Sequence, residues 1–283
     1  MTVHGHVRQA RERLVAAGIP AEEAALDAEL LARHVLGWDR ATLLARSADE
    51  APSGFDQPYE TVIARRRRRE PVAYITGRQE FWGRDFLVGP GVLIPRPETE
   101  LIVEEALKWA RTVPQPLHIA DVGTGSGCLA VTLAIELPSA VLDATDVSGE
   151  SLAVARQNAD RHLARVRFHR ASILAGVGTP LDAIVSNPPY IPRDEYETLQ
   201  PEVREHEPMT ALVGGDDGLT VVRQVVSAAA SALSPEGRVL IEIGHGQADA
   251  VSRIVTDTDA LELLRIRPDL QGIPRVVIGR RRH

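Results

Sequence analysis

Four residues at the end of an apolar run, Asn187-Pro188-Pro189-Tyr190 after Ile184-Val185-Ser186, carry the first chemical signal. Proline lacks the N–H that a strand ladder needs and holds φ fixed, so the run ends abruptly and leaves a stiff rim. That rim offers one amide side chain, carbonyls with no neighbouring N–H to compete for them, and a flat ring. Such a set suits a small planar polar substrate better than a core. The plain alternative is that Asn187 caps a turn and the prolines only end the strand.

A second signal lies upstream in Asp121-Val122-Gly123-Thr124-Gly125-Ser126-Gly127. Glycines let the backbone turn sharply and approach a ligand closely, and ligands of open α/β sheets collect outside the carboxyl ends of strands. A nucleoside cofactor is implied. Nineteen residues beyond Gly127, at the end of VLDATD, Asp146 can accept hydrogen bonds from both ribose hydroxyls. A dinucleotide fingerprint starting at Gly123 needs glycine or alanine at position 128, which is Cys128. Glycines at 123, 125 and 127, with an acid two residues before the first, instead resemble the first motif of class I S-adenosylmethionine-dependent methyltransferases. In those enzymes the strand acid lies near the methionine amino group of the cofactor.

With that resemblance, the tetrad implies methyl transfer to nitrogen. An amide or aryl amine resists this, because its lone pair is delocalised and both N–H bonds lie in one plane. Two acceptors in that plane, the side-chain oxygen of Asn187 and the carbonyl of Pro188, fix the group and favour the charge that grows on nitrogen. Tyr190 can stack on the flat group and exclude water, while Pro189 stiffens the turn. No His/Cys cluster suggests a metal.

These residues need a scaffold. From Leu117 onward, strand-like runs (LHIADVG, VLDATD, RVRFH, DAIVSN, RVLIEIG, RVVIG) alternate with helical ones at Cys128–Leu137, Glu150–Leu163, Leu219–Leu233 and Gln247–Thr256. Alternation of this kind predicts a mainly parallel sheet covered on both faces. The first seventy residues read as short helices. Ala24, Ala28, Leu31 and Val35 recur at helical spacing, Gly18 and Gly37 stand at C-terminal caps, and Asp39 is placed as an N-cap. Between Pro71 and Pro95, aromatic and β-branched residues broken by glycines predict a hairpin-like linker. Arg65–Arg69 reads as a solvated helix end, and Cys128 and His245 as structural. Leu93-Ile-Pro-Arg-Pro-Glu-Thr-Glu100 either caps the following helix through Thr99 and its acids or helps to close the cofactor pocket.

Composition narrows the class. The chain of 283 residues has room for one large or two ordinary domains, and its 44% hydrophobic and 25% charged content is that of a globular protein. No apolar run approaches the roughly 20 residues that span a bilayer, and the start has no signal-peptide core. A single cysteine points to a reducing cytoplasm. The formal charge is −7, all of it beyond residue 77, which argues against tracking along a nucleic acid.

Further stretches select among planar nitrogens. They are Arg69-Glu-Pro-Val-Ala-Tyr-Ile-Thr-Gly77, Phe81-Trp-Gly83, Leu93–Glu100, Glu207–Leu212 with Gly214–Leu219, and Asp269-Leu-Gln-Gly272 with Arg275–Arg280. Together they resemble the release factor glutamine N5-methyltransferase (PrmC/HemK) family over nearly the whole chain. The resemblance implies an α/β class I methyltransferase (Rossmann-like) fold with a mainly parallel seven-stranded sheet, a small N-terminal helical bundle over 1–70, a hairpin linker over 71–95 and the methyltransferase domain over 96–283. It implies S-adenosylmethionine as methyl donor, S-adenosylhomocysteine as product, and the Gly-Gly-Gln glutamine of class I peptide chain release factors as acceptor, with the N-terminal helices gripping the factor. It assigns Asp121, Gly123 to Gly127 and Asp146 to the cofactor, Ser172 and Ile173 to its adenine, and Asn187 to cofactor edge and substrate amide. Pro188, Pro189 and Tyr190 would line the glutamine slot. An RNA or DNA amino-methyltransferase and a catalytically silent cofactor-binding adaptor are the competing readings. No stable nucleic-acid partner and no membrane are expected.

Overall fold

The structure, a computed structural model, describes residues 1–283 and divides into two compact units. One comprises Met1–Arg78 with Gln200–His206, the other Gln79–Leu199 with Glu207–His283.

The smaller unit is helical. It contains α1 (Val3–Ala16), α2 (Ala21–Leu36), α3 (Arg40–Arg46), α4 (Asp56–Arg67) and α5 (Val72–Thr76). The helix ends follow local chemistry: Thr2 caps α1 by accepting from the Gly5 N–H, Asp39 caps α3 by accepting from the Thr42 N–H, and Gly37 ends α2 at φ +66°. The stripe Ala24, Ala28 and Leu31 of α2 is fully buried with Leu14, Tyr59 and Ile63. Val72–Thr76, expected within the hairpin, is instead helical. Pro71 starts it, Gly77 ends it at φ +73°, and Tyr74 and Ile75 are buried.

The arginine run is a solvated helix end only in part: Arg67 and Arg68 are exposed at the close of α4, whereas the other three are held by carboxylates. Arg66 is 1% exposed, and its guanidinium donates to Asp27 (2.6 Å), Glu23 (2.6 Å) and Glu202 (2.8 Å). Arg65 pairs with Glu70, and Arg69 with Glu202 and the Gly18 carbonyl. The planar, always-charged fork directs separate N–H groups at the three carboxylates in a buried position.

In the larger unit the hairpin is β1 (Arg78–Phe81) with β2 (Arg84–Leu87), followed by α6 (Glu100–Ala110). Then come β3 (His118–Val122), α7 (Cys128–Glu136), β4 (Val141–Asp146), α8 (Gly149–Arg161), β5 (Val166–Arg170) and β6 (Leu181–Ser186). After α9 (Pro201–His206), which counts with the smaller unit, follow α10 (Thr220–Ala232), β7 (Leu233–Glu242), α11 (Ala248–Thr256), β8 (Leu261–Pro268) and β9 (Pro274–Arg281). Seven strands form one sheet in the order β5-β4-β3-β6-β7-β9-β8, parallel from β5 through β7 and antiparallel at β7–β9 and β9–β8. Side chains of α6 and α7 pack on one face, and those of α10 and α11 on the other.

The chain leaves β3 toward β4 and β5 on one side, and returns to place β6 and β7 on the other. The strand order therefore reverses between β3 and β6, and the loops after these neighbours diverge at their carboxyl ends. Val122 pairs in register with both Thr145 and Ser186, so the glycine loop, Asp146 and the tetrad leave the sheet side by side.

Candidate active site at the sheet switch point

A cleft of about 900 Å³, partly open to solvent, lies over these carboxyl ends. Gly123, Gly125, Asp146, Ser172, Ile173, Asn187, Pro188 and Pro189 all line it. Gly123 (φ +74°) and Gly125 (φ +55°) face open space, with no atom within 4 Å of where a Cβ would stand. Asp121, Thr124, Ser126, Gly127 and Tyr190 do not line it. Thr124 donates to Asp121, the Ser126 carbonyl accepts from Asn158, and a Cβ on Gly127 would press on Ala155 of α8 at 3.0 Å. These three residues shape the loop from behind.

Asp121 is fully buried below the loop. Its Oδ2 accepts from the Thr124 hydroxyl (2.6 Å) and the Ala130 N–H (3.2 Å), while Oδ1 has no partner. Burial pushes its carboxyl up to about 7 against those two bonds. An unpaired, buried acceptor beside a glycine loop is suited to an ammonium group. Asp146 accepts the Gly125 N–H (3.0 Å) and the Ser148 N–H (2.8 Å), which fixes the carboxylate and leaves lone pairs for further donors. Ile173 adopts φ +52°, an unusual angle for a β-branched residue, and its carbonyl is held by the Thr145 hydroxyl at 2.5 Å.

β6 ends at Ser186, whose hydroxyl donates to the Val122 carbonyl (2.8 Å), and the tetrad begins at once. Its backbone is braced from a second segment. The Ile191 N–H donates to the Leu212 carbonyl (2.9 Å), and the Gly214 N–H to the Ile191 carbonyl (3.0 Å). A Cβ at Gly214 would collide with the Pro189 carbonyl, and one at Gly218 with the Tyr190 carbonyl. Here the glycines serve close backbone approach. Gln247 completes the brace, donating to the Tyr190 carbonyl (2.8 Å) while accepting the Gly244 N–H (2.9 Å).

The Asn187 amide nitrogen donates to the Thr99 hydroxyl (3.0 Å), and its buried Oδ1 has no partner. Thr99 donates in turn to Glu242 Oε2 (2.6 Å), and the Tyr190 hydroxyl lies 3.4 Å from Glu242 Oε1. Burial pushes the Glu242 carboxyl up to about 7, opposed by the Thr99 hydroxyl and reinforced by Glu98. Burial also raises the Tyr190 phenol. Of the two readings of Leu93–Glu100, the structure favours the pocket: Thr99 makes no capping bond and reaches Asn187 instead. Arg96 pairs with Glu207, and Glu100 accepts the Trp82 N–H (2.7 Å).

Comparison with known proteins identifies the family. Residues 6–77 match the family model of the PrmC N-terminal domain, and residues 101–201 that of the methyltransferase small domain. The chain is 44% identical over 268 residues to a release factor glutamine methyltransferase of Geobacter sulfurreducens, covering 92% of this chain and 90% of that one. It is 42% identical over 285 residues to one of Koribacter versatilis, covering 99% of each. The chain belongs to the release factor glutamine methyltransferase family. Among solved structures, a methyltransferase from Pyrococcus furiosus shares the fold (TM-score 0.53, 18% identity, 72% of this chain and 91% of that one).

Several residues around the cleft lie outside the tetrad and the glycine loop. Leu93, Thr210, Val221 and Gln224 line it from three separate segments. Thr99 and Glu242 reach the tetrad from 88 residues before Asn187 and from the end of β7.

Proposed function

We propose that this enzyme transfers a methyl group to the side-chain amide nitrogen (N5) of the Gly-Gly-Gln glutamine in class I peptide chain release factors. Membership of the family supports the reaction and the substrate; the observation that supports the site is the unpartnered, buried Oδ1 of Asn187 beside the cleft. S-adenosylmethionine would supply a sulfonium methyl group: the nitrogen's electron pair forms the N–C bond as the C–S bond breaks, S-adenosylhomocysteine leaves, and the methylated nitrogen then loses one proton to solvent. Glycines with open space beyond them, the unpaired oxygen of Asp121 and the anchored carboxylate of Asp146 fit such a donor.

The chain's own residues then supply orientation. Asn187 Oδ1 and the Pro188 carbonyl accept the two amide hydrogens and hold the nitrogen in one plane. As charge develops on nitrogen those hydrogens become more acidic, so the two bonds strengthen toward the transition state. Pro188 and Pro189 wall the slot, and Tyr190, tied through its carbonyl to Gln247, stiffens the far side. Asp121 would hold the amino group of the donor, Asp146 its ribose, and Ser172 and Ile173 its adenine. Positioning of this kind converts an unfavourable encounter into a near-attack arrangement. The helices of the smaller unit serve to grip the factor.

An acidic larger unit and a single, buried cysteine fit a protein substrate in the reducing cytoplasm. No helix is long and apolar enough to cross a membrane. Incubation with labelled S-adenosylmethionine and a release factor should label the Gly-Gly-Gln peptide, before and after nuclease treatment. Label lost with nuclease, and absent from that peptide, would reject the reading in favour of a nucleic-acid amino-methyltransferase.

A further inference from the structure

We propose that Thr99 and Glu242 are positioning residues that decide which end of the Asn187 carboxamide faces the methyl acceptor. The inference deepens the glutamine-methylation reading and rests on it. A carboxamide has two ends of nearly the same shape and opposite hydrogen-bonding character. Clamping a substrate N–H requires the oxygen end; the other end would set donor against donor. Packing alone hardly distinguishes the two, so a hydrogen-bond partner must.

Thr99 is that partner. Its hydroxyl has a single hydrogen, and a buried acceptor, Glu242 Oε2, lies 2.6 Å away. With the hydrogen committed there, only lone pairs remain toward Asn187, and at 3.0 Å they accept from Nδ2. The oxygen end is left for the substrate, and it is this atom that has no partner in the protein. Both supporting side chains are 2% exposed, so water does not substitute for either. Thr99 stands where a helix cap belongs yet makes no capping bond, which frees its hydroxyl for this use.

Glu242 needs only to present an acceptor to Thr99. A carboxylate does so, and so does a neutral acid whose proton sits on the oxygen facing Tyr190, 3.4 Å from the phenol. A glutamine at 242 can do the same with its carbonyl toward Thr99 and its amide toward the tyrosine oxygen. An apolar residue cannot. Threonine and serine are equivalent at 99, whereas valine has the shape without the hydroxyl.

Full-length Thr99→Val, Thr99→Ser, Glu242→Met and Glu242→Gln enzymes are assayed with a release factor and labelled S-adenosylmethionine, with cofactor affinity measured separately. Thr99→Val and Glu242→Met should lose about 10- to 100-fold in kcat, because a buried amide is released from its orientation. Thr99→Ser and Glu242→Gln should stay within about threefold of the parent, as should cofactor Kd in all four. Adding Thr99→Val to Asn187→Ala should cost nothing further, since no amide remains to orient. A folded Thr99→Val enzyme with parental kcat overturns the proposal, as does an equal loss in the Asn187→Ala background. If Glu242→Met does not fold, the Thr99 pair and the double variant decide. A parent enzyme that leaves glutamine unmethylated would instead strike the functional reading.

Discussion

Glu242→Gln should stabilise the methyltransferase unit increasingly as pH rises. The carboxyl is 2% exposed at the end of β7, and burial carries its pKa from 4.5 to about 7. An acid whose folded pKa lies above its unfolded one costs nothing below the unfolded value, where both states are protonated. Between the two values the unfolded chain ionises and the folded one does not, so stability falls as pH rises through that window and levels off above about 7. A shift of this size corresponds to roughly 3 kcal/mol in full, of which about 2.5 kcal/mol develops from about pH 5 to about pH 8. A neutral glutamine of the same shape carries no such dependence. Parallel urea unfolding at the two pH values, followed by the near-ultraviolet signal of Trp82 and Trp109, reads the difference. The gap between variant and parent should widen by about 2.5 kcal/mol toward high pH. A gap that stays constant would show that Glu242 is ionised throughout and that its neighbours neutralise the cost of burial.

Other outcomes follow from the same geometry. Asn187→Ala should lower kcat by about 100- to 1000-fold with little change in cofactor affinity, and Asp146→Ala should raise cofactor Kd by about tenfold or more while sparing single-turnover chemistry at saturation; equal losses in both parameters would refute the separated roles. Arg66→Met leaves the carboxylates of Asp27, Glu23 and Glu202 without their shared cation, and should destabilise the helical unit by about 3–5 kcal/mol, seen as early loss of helical circular dichroism. Gly214→Ala drives a methyl group into the Pro189 carbonyl and should cost about 1–3 kcal/mol along with turnover; parental kcat there would show that the tetrad is not braced from this segment.

How much could be read in advance depended on whether the chemistry was local. Asn187–Tyr190, Gly123–Gly127 and Asp146 each sit at the end of a strand whose apolar run announces it, and the reversal between β3 and β6 brings them together. Leu93–Glu100 reads either as a cap or as part of the pocket wall, and nothing in Pro-Glu-Thr-Glu indicates that the Thr99 hydroxyl turns to a residue 88 positions away. The strand β8 was missed because LELLRIRP lies at the sheet edge, exposed or half-buried along most of its length, and mixes charge with apolar residues. Val72–Thr76 has strand-forming residues, yet packing of Tyr74 and Ile75 and the stops at both ends make it a helix. Arg66 looked like part of a charge run because its three acids are scattered across the chain, from Glu23 to Glu202.

The pairing of Val122 with Ser186 reaches beyond architecture. Neighbouring strands in a sheet stand about 4.8 Å apart, a spacing dictated by peptide geometry and indifferent to side chains. The two loops that leave these strands therefore inherit a fixed gauge from the main chain, and drift in sequence elsewhere leaves it untouched. What remains adjustable is the outer lip, where Leu93, Thr210 and Gln224 answer to no ladder. An engineer who wished to admit a different amide would reshape that lip and leave the rails alone.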